Sequence, residues 1–237
     1  MKHLFLVRHA KSSWADESLC DRERPLNARG ESQLAPLGKA LEAAGALHGE
    51  IYCSNATRAL ATLEGAMPEP VMPEHWHTQS ELYTFDYRRL IAWLKEREED
   101  AQVMLVGHNP ALLELAQWLL KQPPEQLPTA SLIHIRLSIK HWHQLDRGRG
   151  KLVALMTPQD YSYTHFQRKL KKKTKTAGDH PAKDIPEALY HHHVRLRQLE
   201  RGVIIGLDDE FLHQYRIAIR RSRAIAESVQ EVTGDKT

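Results

Sequence analysis

An apolar strand near the start of the chain ends directly at an arginine and a histidine. Residues 4–7 have the sequence LFLV, which is typical of a parallel strand buried on both faces. Arg8 and His9 follow at once. Because ligands bind beyond the carboxyl ends of strands in open α/β sheets, this pair predicts a site for a negatively charged substrate. The alternative is an ordinary surface pair after a core strand.

A second strand also ends at groups suited to an anion. Residues 103–106 are apolar and are followed by the sequence GHNP. Asn109 suits a helix N-cap and Pro110 the first helical position, so we expect His108 to lie beside a helix N-terminus. The free N–H groups and the positive dipole end of such a terminus make it a natural anion site.

A third strand end, near residues 51–53, leads through a small polar turn into a helix whose first turn carries Arg58. Three strand ends thus carry Arg8 with His9, then Arg58, then His108. Strands that alternate with helices predict an α/β protein, a three-layer α/β/α sandwich with a mostly parallel sheet. We expect a helical appendage at its C-terminal side.

The local pattern also predicts where helices begin. Apolar spacing favours a helix over residues 31–44, in which Pro36 is awkward and indicates a late start or a kink. A second helix is expected over residues 56–67, and Asp86 suits the cap of a third. Further strands are expected at residues 131–137 and 151–156.

The composition restricts where the protein works. A chain of 237 residues with 41% hydrophobic content fits one ordinary domain plus a smaller segment. Cys20 and Cys53 form no disulfide framework, which favours a reducing compartment. No signal peptide and no run of about 20 apolar residues is present, so we expect a cytoplasmic protein. Neither a membrane nor a specific nucleic acid is an expected partner.

Taken together, these motifs resemble the histidine phosphatase superfamily, whose fold is phosphoglycerate mutase-like. The resemblance rests on Arg8-His9 after the first strand, on residues 54–62 with Arg58, and on the GHNP motif. Residues 24–30, with the sequence RPLNARG, are similar to the SixA-type phosphohistidine phosphatase branch. The resemblance covers roughly residues 1–158. Ala10 stands where many relatives carry glycine.

The resemblance implies a phosphatase that needs neither a metal nor another cofactor. In-line attack by His9 would give a phosphohistidine intermediate, which water then hydrolyses. Arg8 and Arg58 would hold the phosphoryl oxygens with forked, charged donors, and His108 would donate to the same group. The resemblance also places Arg24 as a phosphate ligand; the alternative is a solvated loop charge.

A general acid is harder to assign. Glu81 aligns with a carboxylate that relatives use to protonate an oxygen leaving group. It could equally orient Arg58 or cap a turn. Asp16, Glu17 and Asp21, in the loop after the first strand, are further candidates for the acid, although a solvated charge is the favoured interpretation of each.

The expected substrate is phosphohistidine on a protein, because its imidazole can leave already protonated and so tolerates a poor acid. The first alternative is a small-molecule phosphomonoesterase, which would need Glu81 as a true acid. The alternative from another class is a polyphosphate-binding protein whose phosphatase site is secondary.

The C-terminal part divides into a basic linker over residues 159–185 and a helical segment over residues 186–237. Residues 161–237 hold 15 Lys and Arg against 10 Asp and Glu. The basic run at residues 168–175 is typical of a solvated, flexible segment, and contact with polyanions is the alternative. We expect one helix from Pro186 to Arg201, broken by Gly202 and Gly206, and a second capped by Asp208 or Asp209.

The second of these helices carries a cationic stripe. At about 100° per residue, spacings of three, four and three residues keep its members within one arc. The stripe resembles the start of the conserved histidine α-helical domain (CHAD), which implies polyphosphate binding, although two helices are only part of that bundle. The stripe consists of His213, Arg216, Arg220 and Arg223, with Arg221 beside it.

Overall fold

Six strands form one sheet in this computed structural model, which describes residues 1–67, 76–97, 100–177 and 185–233. The strand order is β3-β2-β4-β1-β5-β6. Strands β1 to β4 are parallel, β5 is antiparallel to β1, and β6 is antiparallel to β5. The strands are β1 (Lys2–Arg8), β2 (Glu50–Ser54), β3 (Trp76–Gln79), β4 (Gln102–Gly107), β5 (Leu132–Leu137) and β6 (Gly150–Met156).

Helices cover this sheet and continue beyond it. Leu4 and Leu6 belong to a core that includes Leu94 and Leu115 from two helices, whereas Phe5 points to the opposite face and is buried as well. Both faces are therefore covered, and the predicted fold class is confirmed. The helices are α1 (Ala28–Glu31), α2 (Leu34–Ala43), α3 (Thr57–Ala66), α4 (Tyr87–Lys95), α5 (Ala111–Leu119), α6 (Pro158–Tyr161), α7 (Tyr163–Ala177), α8 (Ile185–Ile205) and α9 (Glu210–Thr233).

The sheet register brings three strand ends to one level. Arg8 at the end of β1 pairs with Gly107 at the end of β4, and the His9 amide donates to the Gly107 carbonyl. On the other side of β4, Cys53 pairs with Val106. The residues that follow β1, β2 and β4 therefore meet at one edge of the sheet.

The predicted helix over residues 31–44 corresponds to α2, and the short helix α1 precedes it. Asn27 caps α1 by accepting a hydrogen bond from the Gly30 amide at 2.9 Å. Pro36 lies in the first turn of α2, where a backbone N–H has no intrahelical partner to lose. Proline is therefore compatible with this helix, and of the two expected outcomes the structure shows the late start, at Leu34, rather than a kink.

The predicted N-cap at Asn109 is wrong by one residue, because Pro110 occupies the cap position and α5 begins at Ala111. The Asn109 side-chain amide instead donates to the Leu127 carbonyl at 3.0 Å. The Asn109 side chain therefore binds the loop before β5 instead of capping α5. Asp86, by contrast, caps α4 by accepting from the Arg88 amide at 2.9 Å.

The chain divides into two compact units, Met1–Pro158 and Gln159–Thr237. Where the sequence predicts a basic linker, the second unit forms α7. Tyr163 and Phe166 from this helix pack against Leu199 and Phe211, so the segment supplies part of a small core.

Helix α8 also differs from the prediction, because Gly202 lies inside it rather than ending it. A Cβ atom at Gly202 would lie 2.2 Å from Cδ1 of Phe211, so glycine permits the close approach of α9. Helix α8 ends before Gly206, whose φ of 69° is left-handed. In the described part of the chain, no helix combines the length and apolar character needed to cross a membrane.

Candidate active site

His9 is buried directly after β1 and is held in one tautomer. Its Nδ1 lies 2.7 Å from the Ala10 carbonyl oxygen, which can only accept, so Nδ1 carries the ring hydrogen. Its Nε2 accepts a hydrogen bond of 3.3 Å from Nε of Arg58. Burial, with the charges of Arg58, Arg8 and Arg24, lowers the pKa of His9 to about 3, against the opposing effect of the Ala10 hydrogen bond. A neutral imidazole whose Nε2 carries no hydrogen can act as a nucleophile once a substrate takes the place of the Arg58 donor.

Arg58 connects this imidazole to a carboxylate in the loop after β1. Helix α3 buries Arg58 in its first turn, leaving it 3% exposed. Its Nη2 donates to Oδ2 of Asp21 at 2.8 Å, and its Nη1 donates to the Asp21 backbone carbonyl. The guanidinium group is therefore fixed on two sides, against His9 and against Asp21.

Asp21 also binds Arg24 and Tyr83. Nη1 of Arg24 donates to its Oδ1 at 2.7 Å, and the Tyr83 hydroxyl donates to its Oδ2 at 2.8 Å. Partial burial alone would raise the pKa of Asp21, but the hydrogen bonds from Tyr83 and Arg58, the Arg58 charge and the Arg24 hydrogen bond lower it to about 2. This carboxylate is therefore ionised at neutral pH.

Arg24 is buried although it belongs to a loop. Its Nε donates to the Ser13 carbonyl and its Nη2 to Oγ of Ser12, both at 2.8 Å. The Trp14 ring covers the guanidinium, with 3.1 Å between Cζ of Arg24 and the ring centroid. These contacts hold the arginine beside Asp21, which excludes the solvated alternative for Arg24.

His108 lies next to His9 at the end of β4, with 5.1 Å between the ring centroids. Its Nε2 is 2.8 Å from Oγ of Ser54, and its buried Nδ1 has no protein partner within the described residues. Burial, followed by the effects of His9 and Arg58, lowers the pKa of His108 to about 2. A neutral His108 whose Nε2 accepts from the Ser54 hydroxyl has an Nδ1–H free for a ligand.

Arg8 completes the group of basic side chains. Its Nη1 donates to the Leu127 carbonyl at 2.8 Å, and its buried Nε has no partner among the described residues. Burial lowers the pKa of Arg8 from its ordinary value, yet an arginine remains charged at neutral pH. Arg8, Arg24 and Arg58 against the single carboxylate of Asp21 leave a net charge of about +2, which suits a phosphoryl dianion.

Glu81 is the predicted site residue that the structure does not bring to this cluster. It lies in a 3₁₀ turn, Ser80–Leu82, in which Leu82 is buried and Glu81 is exposed. Its Oε2 accepts from the Ser80 hydroxyl at 3.1 Å. Among the described contacts, no hydrogen bond or ion pair joins Glu81 to His9, Arg58 or His108.

Sequence reasoning gave no role in the cluster to Ser54 or Tyr83, and it considered Asp21 only as a minor candidate for the general acid. Asp21 was expected to be solvated, because it lies in a loop and nothing in the sequence links it to Arg58, 37 residues away. The available local signal was its position three residues before Arg24, a spacing at which opposite charges meet within one turn.

The cationic stripe lies on α9. His213, Arg216 and Arg220 line one open groove, and Nε of Arg223 pairs with Oε1 of Glu227 at 2.6 Å. Arg221 is exposed beside them. Two of the acidic residues considered as partners for the stripe within the chain have other contacts, since Glu200 pairs with Arg197 and Asp208 accepts from the Tyr163 amide.

Comparisons with known proteins show the family of this chain. Residues 4–87 match the family described as "Histidine phosphatase superfamily (branch 1)". An uncharacterised chloroplastic protein of Arabidopsis thaliana is 32% identical over 171 residues, which are 66% of this chain and 78% of that protein.

Two solved structures share the fold. The putative phosphohistidine phosphatase SixA from Nakamurella multipartitia is 20% identical, with a TM-score of 0.55 over 66% of this chain and 96% of that one. The putative SixA from Agrobacterium tumefaciens is 22% identical, with a TM-score of 0.54 over 66% of this chain and 98% of that one. At these identities the likeness bears on the fold alone.

Proposed function

The chain belongs to the histidine phosphatase superfamily, and we propose that it is a metal-independent phosphohistidine phosphatase that uses His9 as its nucleophile. The observation that carries the proposal is the contact between Nε of Arg58 and Nε2 of His9. It places a neutral, correctly protonated imidazole against a fixed positive charge. A phosphoryl group that takes over the Arg58 Nε–H donor would lie within reach of the Nε2 lone pair that this donor now occupies.

In the first step, the lone pair of His9 Nε2 attacks phosphorus and a new N–P bond forms. The bond from phosphorus to the leaving nitrogen breaks, and its electron pair stays on the substrate imidazole, which keeps the proton on its other ring nitrogen. The phosphorylated His9 becomes a cation whose Nδ1–H already donates to the Ala10 carbonyl. Arg8, Arg58 and His108 neutralise charge on the transferring oxygens.

In the second step, water attacks the phosphorus of the intermediate. The N–P bond to His9 breaks, its electron pair returns to Nε2, and the water proton passes to solvent as inorganic phosphate forms. The three arginines supply the positive charge that other phosphatases obtain from metal ions. We therefore expect a chelator to leave the rate unchanged.

The carboxyl groups of Asp21 and Glu81 are poor candidates for a proton donor, which favours phosphohistidine over a phosphomonoester as the substrate. Asp21 has a pKa of about 2, so its carboxylate has no proton to give at neutral pH. Glu81 is exposed and bonds to Ser80. An alkoxide leaving group needs an acid, whereas an imidazole that leaves as the neutral ring does not.

The experiment is a hydrolysis panel of a phosphohistidine protein, p-nitrophenyl phosphate and a sugar phosphate, with and without EDTA. Phosphohistidine should be hydrolysed with the highest kcat/KM, and Glu81→Gln should change that rate little. Efficient sugar phosphate hydrolysis that Glu81→Gln abolishes would favour a small-molecule phosphomonoesterase instead. Loss of activity in EDTA, restored by a divalent ion, would contradict the metal-free mechanism.

A second candidate function is polyanion binding by the C-terminal unit, with polyphosphate as the expected ligand. The observation in its favour is the groove that His213, Arg216 and Arg220 line on α9. Membership of residues 186–237 in the CHAD family stays a prediction from sequence. Phosphohistidine hydrolysis by residues 1–158 alone would separate the enzyme from the binding function.

A further inference from the structure

Aromatic rings are exposed beside the buried basic cluster. The Phe85 ring is 47% exposed although its centroid lies only 5.8 Å from that of His108, which is 1% exposed. Tyr83 meets the same imidazole edge-on at 5.4 Å, and Trp14, which covers Arg24, is 71% exposed. We call Trp14, Tyr83 and Phe85 the aromatic rim.

The rim is held in place rather than loosely attached. The Tyr83 hydroxyl donates to Asp21, and the Tyr83 and Phe85 rings meet edge-on with centroids 5.7 Å apart. Between them, the buried Thr84 accepts from the Asp86 amide at 3.2 Å, and Asp86 begins α4. The Phe85 ring is therefore exposed in a turn whose neighbours are fixed.

The direction of attack gives these rings a role. In an in-line displacement the leaving group departs on the side of phosphorus opposite the nucleophile. His9 is buried at the end of β1, so the leaving group must point away from it, toward solvent. Exposed rings next to His108 and Arg24 are then positioned to contact the leaving group rather than the phosphoryl oxygens.

We propose that the aromatic rim, chiefly Phe85, binds the imidazole ring of phosphohistidine by stacking and thereby selects aromatic N–P substrates. The inference rests on the proposed function. A planar heterocycle gains from contact with an aromatic face or edge, and a partly protonated one gains more, because the ring face is negative. An aliphatic leaving group gains neither contact.

The test compares Phe85→Ala, Phe85→Tyr and the wild type on a phosphohistidine peptide and on phosphoramidate, an N–P substrate without a ring. Phe85→Ala should raise KM for the peptide by roughly 3-fold to 10-fold, the range expected for one lost aromatic contact, with little change in kcat. Phosphoramidate kinetics should stay near wild type, and Phe85→Tyr should retain peptide binding. Val153→Ala, which trims an exposed apolar side chain on β6, is the matched control.

Equal losses on both substrates would overturn the role of the rim while leaving the phosphatase reaction intact. If neither substrate is hydrolysed, a binding measurement tests the aromatic rim separately from the proposed phosphatase function. A non-hydrolysable triazole phosphonate analogue of phosphohistidine should bind the wild type more tightly than methylphosphonate, and Phe85→Ala should remove the difference. Equal affinity of the wild type for the two phosphonates would contradict the inference.

Discussion

Asp21 and Arg58 form a two-point contact that links the loop after β1 to the first turn of α3. Nη2 of Arg58 reaches Oδ2 of Asp21 at 2.8 Å, and Nη1 reaches the Asp21 backbone carbonyl. Because Arg58 also donates to His9, the carboxylate is connected to His9 through the arginine. Asp21 is thus a candidate positioning residue for the proposed reaction.

Asp21→Asn should lower kcat by about 10-fold, because Arg58 loses the ion pair that fixes it against His9. Affinity for inorganic phosphate should not fall, since removing the carboxylate makes the pocket more positive. Steady-state kinetics and phosphate titration check the two effects separately. A parallel loss of phosphate affinity would show that Asp21 maintains the pocket rather than positioning Arg58.

His9→Ala should abolish turnover, because the variant has no nitrogen to accept the phosphoryl group. Phosphate or vanadate binding should survive in part, since Arg8 and Arg58 remain. Acid-quenched wild type, incubated with labelled substrate, should carry phosphate on His9, as detected by mass spectrometry. Near-normal activity of His9→Ala would contradict the nucleophile assignment.

Arg58→Ala should slow hydrolysis by about 10-fold to over 100-fold, because a charge-assisted contact contributes about 1.5–3 kcal/mol to the transition state. The rate with saturating phosphohistidine is the measurement. Arg22→Ala removes an exposed arginine from the same loop as Asp21 and serves as the control. Equal rates for the two variants would exclude Arg58 from phosphoryl transfer.

The buried imidazoles should make folding stability depend on pH. The pKa values of His9 and His108 fall to about 3 and about 2 from an ordinary 6.5, so below pH 6.5 the unfolded chain binds more protons than the folded one. The free energy of unfolding should therefore decrease as the pH falls from about 7.5 to about 5, by at most about 2 kcal/mol for each group.

Urea unfolding at these two pH values checks this prediction. His9→Asn should lose less stability on acidification than the wild type, because it removes one group that titrates in the unfolded state. Replacement of the exposed His143 by asparagine is the control. Asp21 does not contribute in this range, since its folded pKa of about 2 and its ordinary value of 3.8 both lie below it.

The stripe on α9 predicts salt-sensitive binding of long-chain polyphosphate. Combined replacement of Arg216, Arg220 and Arg223 by alanine should weaken binding, and raising the salt concentration should weaken it further, because exposed charges are screened. The measurement is calorimetric titration of the full chain at low and moderate salt.

The control is a variant with Arg147, Arg149 and Lys151 replaced by alanine. It also removes three positive charges, from exposed positions in the first unit. It should bind polyphosphate as the wild type does. Equal binding by both triple variants would exclude the stripe, and no binding by the wild type would mean that two helices are too little to form the site.

The sequence alone determined the sheet and the edge at which its basic side chains meet. Apolar runs that stop at Arg8 and His9, or at His108, are local signals, and parallel strands bring their carboxyl ends to one edge. Helix α3 begins close to the position that the polar turn predicts, and so carries Arg58 to that edge. None of these inferences needed knowledge of a distant partner.

Tertiary structure decided the contacts that complete the site. Whether Asp21 is solvated or paired depends on a loop closing onto an arginine 37 residues away and on Tyr83, 62 residues away. Asn109 lost its capping role to the Leu127 carbonyl for the same reason. Strand and helix patterns reflect neighbours in the chain, whereas a polar side chain in a loop takes whichever donors or acceptors the folded chain brings within hydrogen-bonding distance.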